Sequence, residues 1–303
     1  NLIRLSRESQ YSLLLDASPA FIPEIPEQAV EKSPVVFYQG QKGAYSNVAS
    51  IKMYPGSEYK NVRNFEDIFA EVSETAGSCG VLPLENSMAG IVGEVYDYLL
   101  KYRLYINKSF MLPINHALLA LPGTPLSEIK RVLSHPHALS QCSGLLRRIG
   151  AEAVPVSNTA VAAGMVYELK RPDTAAIASL DTARIYGLDA IEKDIANGSS
   201  NFTRFISVSS ALIKKAADDK VVIAFALPHL SGSLAEVLSV FADYKINLSH
   251  IQSRPRPGTP FEYYFYVDFD GNLGFNATRA VLLQLKKELP FLRILGTYSG
   301  GGL

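Results

Sequence analysis

No stretch of the 303 residues approaches the roughly 20 consecutive apolar positions that a bilayer span requires. An excess of one charge is also missing: 29 Lys plus Arg balance 29 Asp plus Glu with no block of like charge, so neither nucleic acid nor an anionic membrane is recommended as a partner. Cysteine is scarce. Cys79 lies in an apolar run and Cys142 on a helix-like segment, without metal-ligand spacing, so both read as buried thiols and a reducing cytoplasm fits them. A Gly-Lys-Ser/Thr finish or a third glycine is lacking after Gly40 and Gly43, as are a Gly-x-Ser-x-Gly elbow and a His-Glu-x-x-His site. Nucleotide, triad and metal chemistry are therefore not expected, nor any cofactor. The chain that remains is 48% hydrophobic and 19% charged, enough to bury a sizeable core in two or three units around a small-molecule partner.

Residues 1–18 carry a helical stripe through Leu2, Leu5 and Ser9, and Pro19, Pro23, Pro26 and Pro34 make 19–34 a linker. Leu13-Leu14-Leu15 is too short for a signal-peptide core and is preceded by Arg4, Arg7 and Glu8, so secretion is not expected. The opening Asn, without Met, suggests that the natural start lies elsewhere.

From Val35 onward one grammar repeats. Apolar runs Cys79–Leu84, Arg131–Leu133, Ala153–Val156 and Ala175–Ala178 each give way to small polar residues and then to helical spacing. Glu85-Asn86-Ser87 precedes a helix expected over Gly90–Leu100. Ser134-His135-Pro136-His137 precedes one running through Leu139 to Leu146, and Ser157-Asn158-Thr159 one over Ala160–Leu169. Such units predict an α/β sheet that binds ligands at the strands' carboxyl ends. After Ser210 the pattern becomes β-α-β-β-α-β within 80 or so residues, the ferredoxin-like split unit.

Ser, Thr and Asn at helix N-termini suit carboxylates, because unpaired N–H groups gather there; any one of them alone is simply a cap. Glu85 is a candidate acid and equally a dipole-matched cap. Asn201-Phe202-Thr203-Arg204-Phe205 adds an amide, a hydroxyl and a guanidinium between two rings. Together the clusters point to a small anion.

The runs Gly40-Gln41-Lys42-Gly43-Ala44-Tyr45-Ser46, Pro83-Leu84-Glu85-Asn86-Ser87, Ser134-His135-Pro136, Gln141-Cys142 and Thr203-Arg204-Phe205 resemble, in order and spacing, the prephenate dehydratase family. Residues 220–298 resemble its ACT regulatory domain. The resemblance implies a two-lobed, periplasmic-binding-protein-like α/β catalytic domain over 35–212, with lobes 35–110 plus 191–212 and 111–190. A ferredoxin-like (βαββαβ) ACT domain over 219–299 follows. It implies decarboxylating dehydration of prephenate to phenylpyruvate, a step toward phenylalanine.

On this resemblance Thr203 is the donor to the departing hydroxyl. Asn86, Ser87, Gln141, Glu85 and Arg204 complete the catalytic set, while Ser134, Ser157, Thr159 and Phe205 meet the substrate. Gly232, Ser233, Leu234, Asn247, Leu248, Ser249, Ser253 and Arg254 would bind phenylalanine as an allosteric inhibitor at a subunit interface of a dimer or tetramer. Two positions depart from the family pattern: Gln252 stands where Glu is common before Ser-Arg-Pro, and His137 where Gln is common. The first 18 residues resemble the end of a chorismate mutase helix. Arogenate dehydratase, acting on the aminated substrate, and a non-catalytic amino-acid-sensing or solute-binding protein remain the alternatives.

Overall fold

The computed structural model describes residues 34–198 and 201–300. The helix expected over 1–18 and the linker over 19–34 lie outside them, apart from Pro34. The described chain divides into two compact units, one of residues 34–92 and 110–206, the other of residues 93–109 and 207–300, the divisions falling after Val92, Ser109 and Ile206.

In the first unit, β1 (Val35–Gln39) pairs in parallel with β2 (Glu58–Val62) and β3 (Cys79–Asn86), and β11 (Phe202–Ser209), whose first half belongs here, lies beside β3. The β3 run is apolar because helices α1 (Tyr45–Met53) and α2 (Phe65–Glu74) both pack on it; Val81 and Leu82 lose all exposure. Asn64 caps α2 reciprocally, accepting from Asp67 N at 2.9 Å while Asp67 accepts from Asn64 N at 3.3 Å, and Ile68, Phe69 and Val72 face inward.

The second sheet of this unit runs β10-β6-β9-β7-β8, with β6 (Ala117–Ala120), β7 (Arg131–Ser134), β8 (Glu152–Pro155), β9 (Thr174–Ala178) and β10 (Asp189–Glu192). Side-chain alternation splits its core in two. Leu118, Val132 and Ile177 face Leu139 and Leu145, on helices α4 (Pro136–Gln141) and α5 (Ser143–Ile149). Leu119, Leu133 and Ala176 face Ala163 of α6 (Thr159–Leu169) and Ala183 of α7 (Leu180–Tyr186). Each fully buried leucine or isoleucine here is worth about 1.5–3 kcal/mol of transfer free energy.

The second unit contains β12 (Lys220–Ala226), α8 (Ser233–Asp243), β13 (Leu248–Pro255), β14 (Tyr263–Asp270), α9 (Asn276–Glu288) and β15 (Phe291–Tyr298), the ferredoxin-like order read from the sequence. Its strands lie in the order β13-β14-β12-β15 and are antiparallel, covered by Val237, Phe241, Val281 and Leu285 from the two helices.

Helix α3 (Gly93–Tyr102) and the first half of β5 (Tyr105–Pro113) group with this unit rather than with the lobe expected over 35–110. The reasons are local. Gly296 of β15 pairs with Ile106, Arg254 of β13 forms an ion pair with Asp97, and Tyr96 packs on Tyr266 with ring centres 4.6 Å apart.

Two element boundaries differ from the sequence reading. The helix expected from Gly90 begins at Gly93, because Asn86 Oδ1 accepts from Met88 N (3.0 Å) and Ala89 N (2.8 Å) and turns β3 back into the short β4 (Gly90–Ile91). The helix expected to run unbroken from Pro136 to Leu146 is two helices, α4 and α5, separated at Cys142, whose ψ is 19°.

Candidate functional site

A cavity of about 430 Å³ opens in the first unit, and every residue lining it belongs to that unit. Three helices point their N-termini at it: α1 through Ala44, Tyr45 and Ser46, α4 through His135 and His137, and α6 through Ser157, Asn158 and Thr159. Among the described residues, no lining side chain is Asp, Glu, Lys or Arg. An anion entering here meets backbone N–H dipoles, amides and hydroxyls in place of a formal positive charge.

On one wall the side chains form a connected network. Asn86 Nδ2 donates to Asn201 Oδ1 at 2.8 Å and to Thr203 Oγ1 at 2.9 Å, and lies 3.1 Å from Phe202 O. Asn201 Nδ2 donates to Gln141 Oε1 at 3.0 Å, and His116 Nε2 meets the same oxygen at 3.0 Å. Tyr45 OH lies 3.1 Å from His116 Nδ1 and 2.9 Å from Asn115 O.

Gln141 Oε1 can only accept, so the neutral imidazole carries its proton on Nε2, and its bare Nδ1 shares the single Tyr45 hydroxyl hydrogen with the Asn115 carbonyl oxygen. Burial lowers the His116 pKa, partly countered by the bond to Gln141, and raises that of the Tyr45 hydroxyl. Both groups are neutral at neutral pH.

Thr203 is 7% exposed and Asn201 6%. Because Thr203 Oγ1 accepts from Asn86, its own hydrogen is aimed elsewhere, and Thr203 lies on the cavity wall. Accepting one hydrogen bond polarises the hydroxyl and makes it a stronger donor.

His135 also has a lowered pKa, from burial first and then from the adjacent His137, whose ring stacks on it at 5.4 Å. In the unfolded chain both shifted rings, His116 and His135, titrate near the ordinary value of 6.5. Below that pH the unfolded state binds protons first, so their contribution to stability is full above about pH 6.5 and is lost as pH falls through the lowered folded values. The thermal midpoint should therefore drop between about pH 7.5 and pH 5.5, and drop less in a His116→Gln/His135→Gln variant. An equal drop in the variant would contradict this assignment.

The candidate residues separate as follows. Asn86, Gln141, Ser157, Thr159, Thr203 and Phe205 all line the cavity. Ser87 lies outside it and serves the turn: its N donates to Phe202 O at 2.9 Å and its Oγ accepts from Phe202 N at 3.0 Å, clamping β3 to β11. Ser134, expected at the substrate, is fully buried and donates to Ile177 O at 2.6 Å, so its hydroxyl satisfies a core carbonyl. Glu85 is half-buried in β3 opposite Ile91 and does not line the cavity. Arg204 alternates to the strand face opposite Thr203 and Phe205, so it does not reach the cavity. Tyr45, His116 and Asn201 were not singled out as site residues. Tyr45 and Asn201 lie inside recognised runs, whereas nothing in its own sequence surroundings marks His116.

In the second unit, Ser233 and Leu234 line a cavity of about 340 Å³ with Leu227, Pro228, His229 and Leu230, and Gly232 sits between them at φ +91°. The other expected regulatory residues do not line it. Asn247 donates to Asp270 at 3.2 Å and Ser249 to Asp268 O at 3.3 Å, while Leu248 packs on the core. Arg254 binds Asp97, its Nε at 3.2 Å, with its guanidinium close over Gly93, where a Cβ would collide with it. Ser253 lies in β13 opposite Phe265.

Comparison with known proteins gives two family matches, prephenate dehydratase over residues 36–212 and the ACT domain over residues 221–286. Arogenate dehydratase 2 of Petunia hybrida is 37% identical over 320 residues, covering 98% of this chain and 81% of the relative. A prephenate dehydratase from Arthrobacter aurescens, solved in complex with L-Phe, superposes with a TM-score of 0.80 at 31% identity over 88% of this chain and 90% of that one. A structure described as a novel type of quorum quenching acylase superposes with a TM-score of 0.81 at 27% identity, over 88% and 98% of the two chains.

Proposed function

The chain belongs to the prephenate dehydratase family, and from that premise we propose that its cavity catalyses decarboxylating dehydration of a cyclohexadienyl carboxylate, with Thr203 acting on the departing hydroxyl. The observation that carries this is the hydrogen bond from Asn86 to Thr203 on the wall of a cavity without charged side chains. In the reaction the bond from the ring to its carboxylate breaks and its electron pair enters the ring. The opposite C–O bond breaks in turn, and hydroxide leaves with a proton as water. Aromaticity drives the step, so the protein's task is orientation and donation to the leaving oxygen. Thr203 supplies that hydrogen bond and keeps its own proton, the proton that completes the departing water coming from solvent, and such donation is on the usual general-acid scale of about 10²–10⁴ in rate. Among the described residues no Lys or Arg lines the cavity to clamp the ring carboxylate by charge, and its negative charge disperses as carbon dioxide departs. Asn86, Asn201, Gln141 and His116 hold one another, so the wall is set before substrate arrives.

Prephenate carries a keto acid side chain, arogenate an amino acid. Among the described residues no lining carboxylate is present to pair with an ammonium group, which favours prephenate and phenylpyruvate as product. The second reading, arogenate to phenylalanine, is favoured by the Petunia relative's activity. Turnover of the two substrates side by side decides between them: prephenate should give the larger kcat/KM, and a larger value on arogenate would replace it by the second reading.

The ACT domain, on this account, binds phenylalanine as inhibitor, as the L-Phe complex of the Arthrobacter protein encourages, with Ser233 and Leu234 at the site. Leu230 and Phe261 beside that cavity are 73% and 81% exposed, a rim suited to a second copy in a dimer or tetramer.

A further inference from the structure

We propose that the second unit carries a separate binding site for a small aromatic carboxylate, where the end of α3 and the start of β5 meet the leading ends of β14 and β15. A cavity of about 420 Å³ lies there, lined by Tyr105, Tyr264 and Phe291, by Arg103 and Arg293, and by two leucines. All of these residues belong to the one unit. Among the described residues, none that lines it is acidic.

The two cations differ in how they are held. Arg293 is fixed: its Nη1 donates to the carbonyls of Leu99 and Leu100, both at 3.2 Å, satisfying the last turn of α3, and its guanidinium carbon stands 5.3 Å from the Tyr105 ring centre. Arg103 follows that helix at φ +57°, the left-handed region that few non-glycine residues adopt, and no carboxylate pairs with it among the described residues. Burial lowers the pKa of Arg293, its interaction with the Tyr105 side chain acts against that, and the Arg103 charge lowers it further; an anion in the cavity would offset the repulsion between the two cations. The nearby Arg256 is already neutralised by Glu262 at 2.9 Å while it covers the Tyr264 ring at 5.6 Å.

The chemistry of the lining selects the ligand. The Arg103 guanidinium matches a carboxylate, while Arg293, whose terminal nitrogens donate to the carbonyls of Leu99, Leu100 and Leu104, adds a fixed positive charge. Tyr264 and Phe291, with centres 5.2 Å apart and planes tilted by 53°, offer ring faces and edges to an aryl group. An amino acid's ammonium would find no lining carboxylate, so the fitting class is an aryl acid without an amine. The aryl 2-oxo acid released in the proposed reaction is of this class, and that identification alone rests on the functional reading above. The site is distinct from the cavity around Ser233 and Leu234, with which it shares no lining residue.

The test is calorimetric titration of the full chain with 3-phenylpropanoate, which needs no turnover and so stands or falls independently of the assigned reaction. Arg103→Gln, at an exposed position, should leave prephenate turnover unchanged and weaken 3-phenylpropanoate binding by at least about tenfold, the scale of losing a charge-assisted bond. Phe291→Leu should weaken it as well, while L-phenylalanine should compete poorly. Coincident isotherms for the parent and Arg103→Gln would overturn the site, since any ligand held in the first unit's cavity survives that substitution. Displacement by inorganic phosphate as effective as by phenylpyruvate would overturn the aromatic class.

Discussion

Thr203→Val should fold like the parent and lose at least about 10²-fold in kcat, the lower end of what a positioned donor supplies. Valine keeps the shape of threonine and removes only the hydroxyl, at a position 7% exposed near the start of β11. Asn86 carries two amide hydrogens and has three oxygens within reach, Asn201 Oδ1, Phe202 O and Thr203 Oγ1. Losing the third leaves one acceptor for each hydrogen, so no buried donor is orphaned and the usual penalty for breaking a buried pair is not incurred. Thr203→Ser, which restores the donor, should recover most of the rate. The checks are kcat on the favoured substrate and the thermal midpoint of each variant. Full activity in a folded Thr203→Val would take Thr203 out of the reaction and leave it as a network member only.

The largest stability effect should come from a single methyl group in the second unit. Gly296 pairs with Ile106 where β15 lies parallel to β5, and a Cβ at residue 296 would collide with the Ile106 carbonyl oxygen and come within 2.7 Å of its Cβ and N. Two of these atoms are backbone, so no rotamer change relieves the contact, and β15 or β5 must shift. Leu295 and Thr297 on either side are fully buried, which blocks an easy slide. Gly296→Ala should cost about 3 kcal/mol, the upper part of the range for overpacking. Chemical denaturation monitored by far-UV circular dichroism measures it, and a loss under about 0.5 kcal/mol, the level of an ordinary surface change, would mean that the strand pair is looser than its geometry implies. Gly56→Ala, at a glycine with no atom within 4 Å of its Cβ position but with φ +80°, separates crowding from backbone strain.

Most of the element order was legible because the chain states it twice, once in apolar periodicity and once in caps. Asn158 caps α6 by accepting from Ala160 N at 2.7 Å, and Pro136 opens α4, as their residue types led one to expect. The strand alternation of Phe202–Ser209 could also have been applied to function, since it separates Thr203 and Phe205 from Arg204 before any coordinates are seen.

What misled was chemistry that looks alike in two settings. Ser134 and Ser157 both follow an apolar run and precede a helix, yet one donates to Ile177 O inside the sheet and the other borders the cavity. Sequence spacing does not encode which carbonyl a serine will find. Asn86 was read as a residue before a helix, and it is in fact the donor that ties β3 to the Asn201–Thr203 segment across more than a hundred residues. His116 illustrates the remaining gap: its place in the network depends on Gln141 and Tyr45, brought together only by the packing of the unit.

The measurement that tests the account most directly is release of carbon dioxide and phenylpyruvate from prephenate by the purified chain at neutral pH, compared with Thr203→Val. The account predicts that both products appear together in equal amounts with the parent chain, and at least about 10²-fold more slowly with the variant. No release from either prephenate or arogenate by the folded parent chain would contradict it, and the network around Asn86 would then belong to a protein that binds its anion without transforming it.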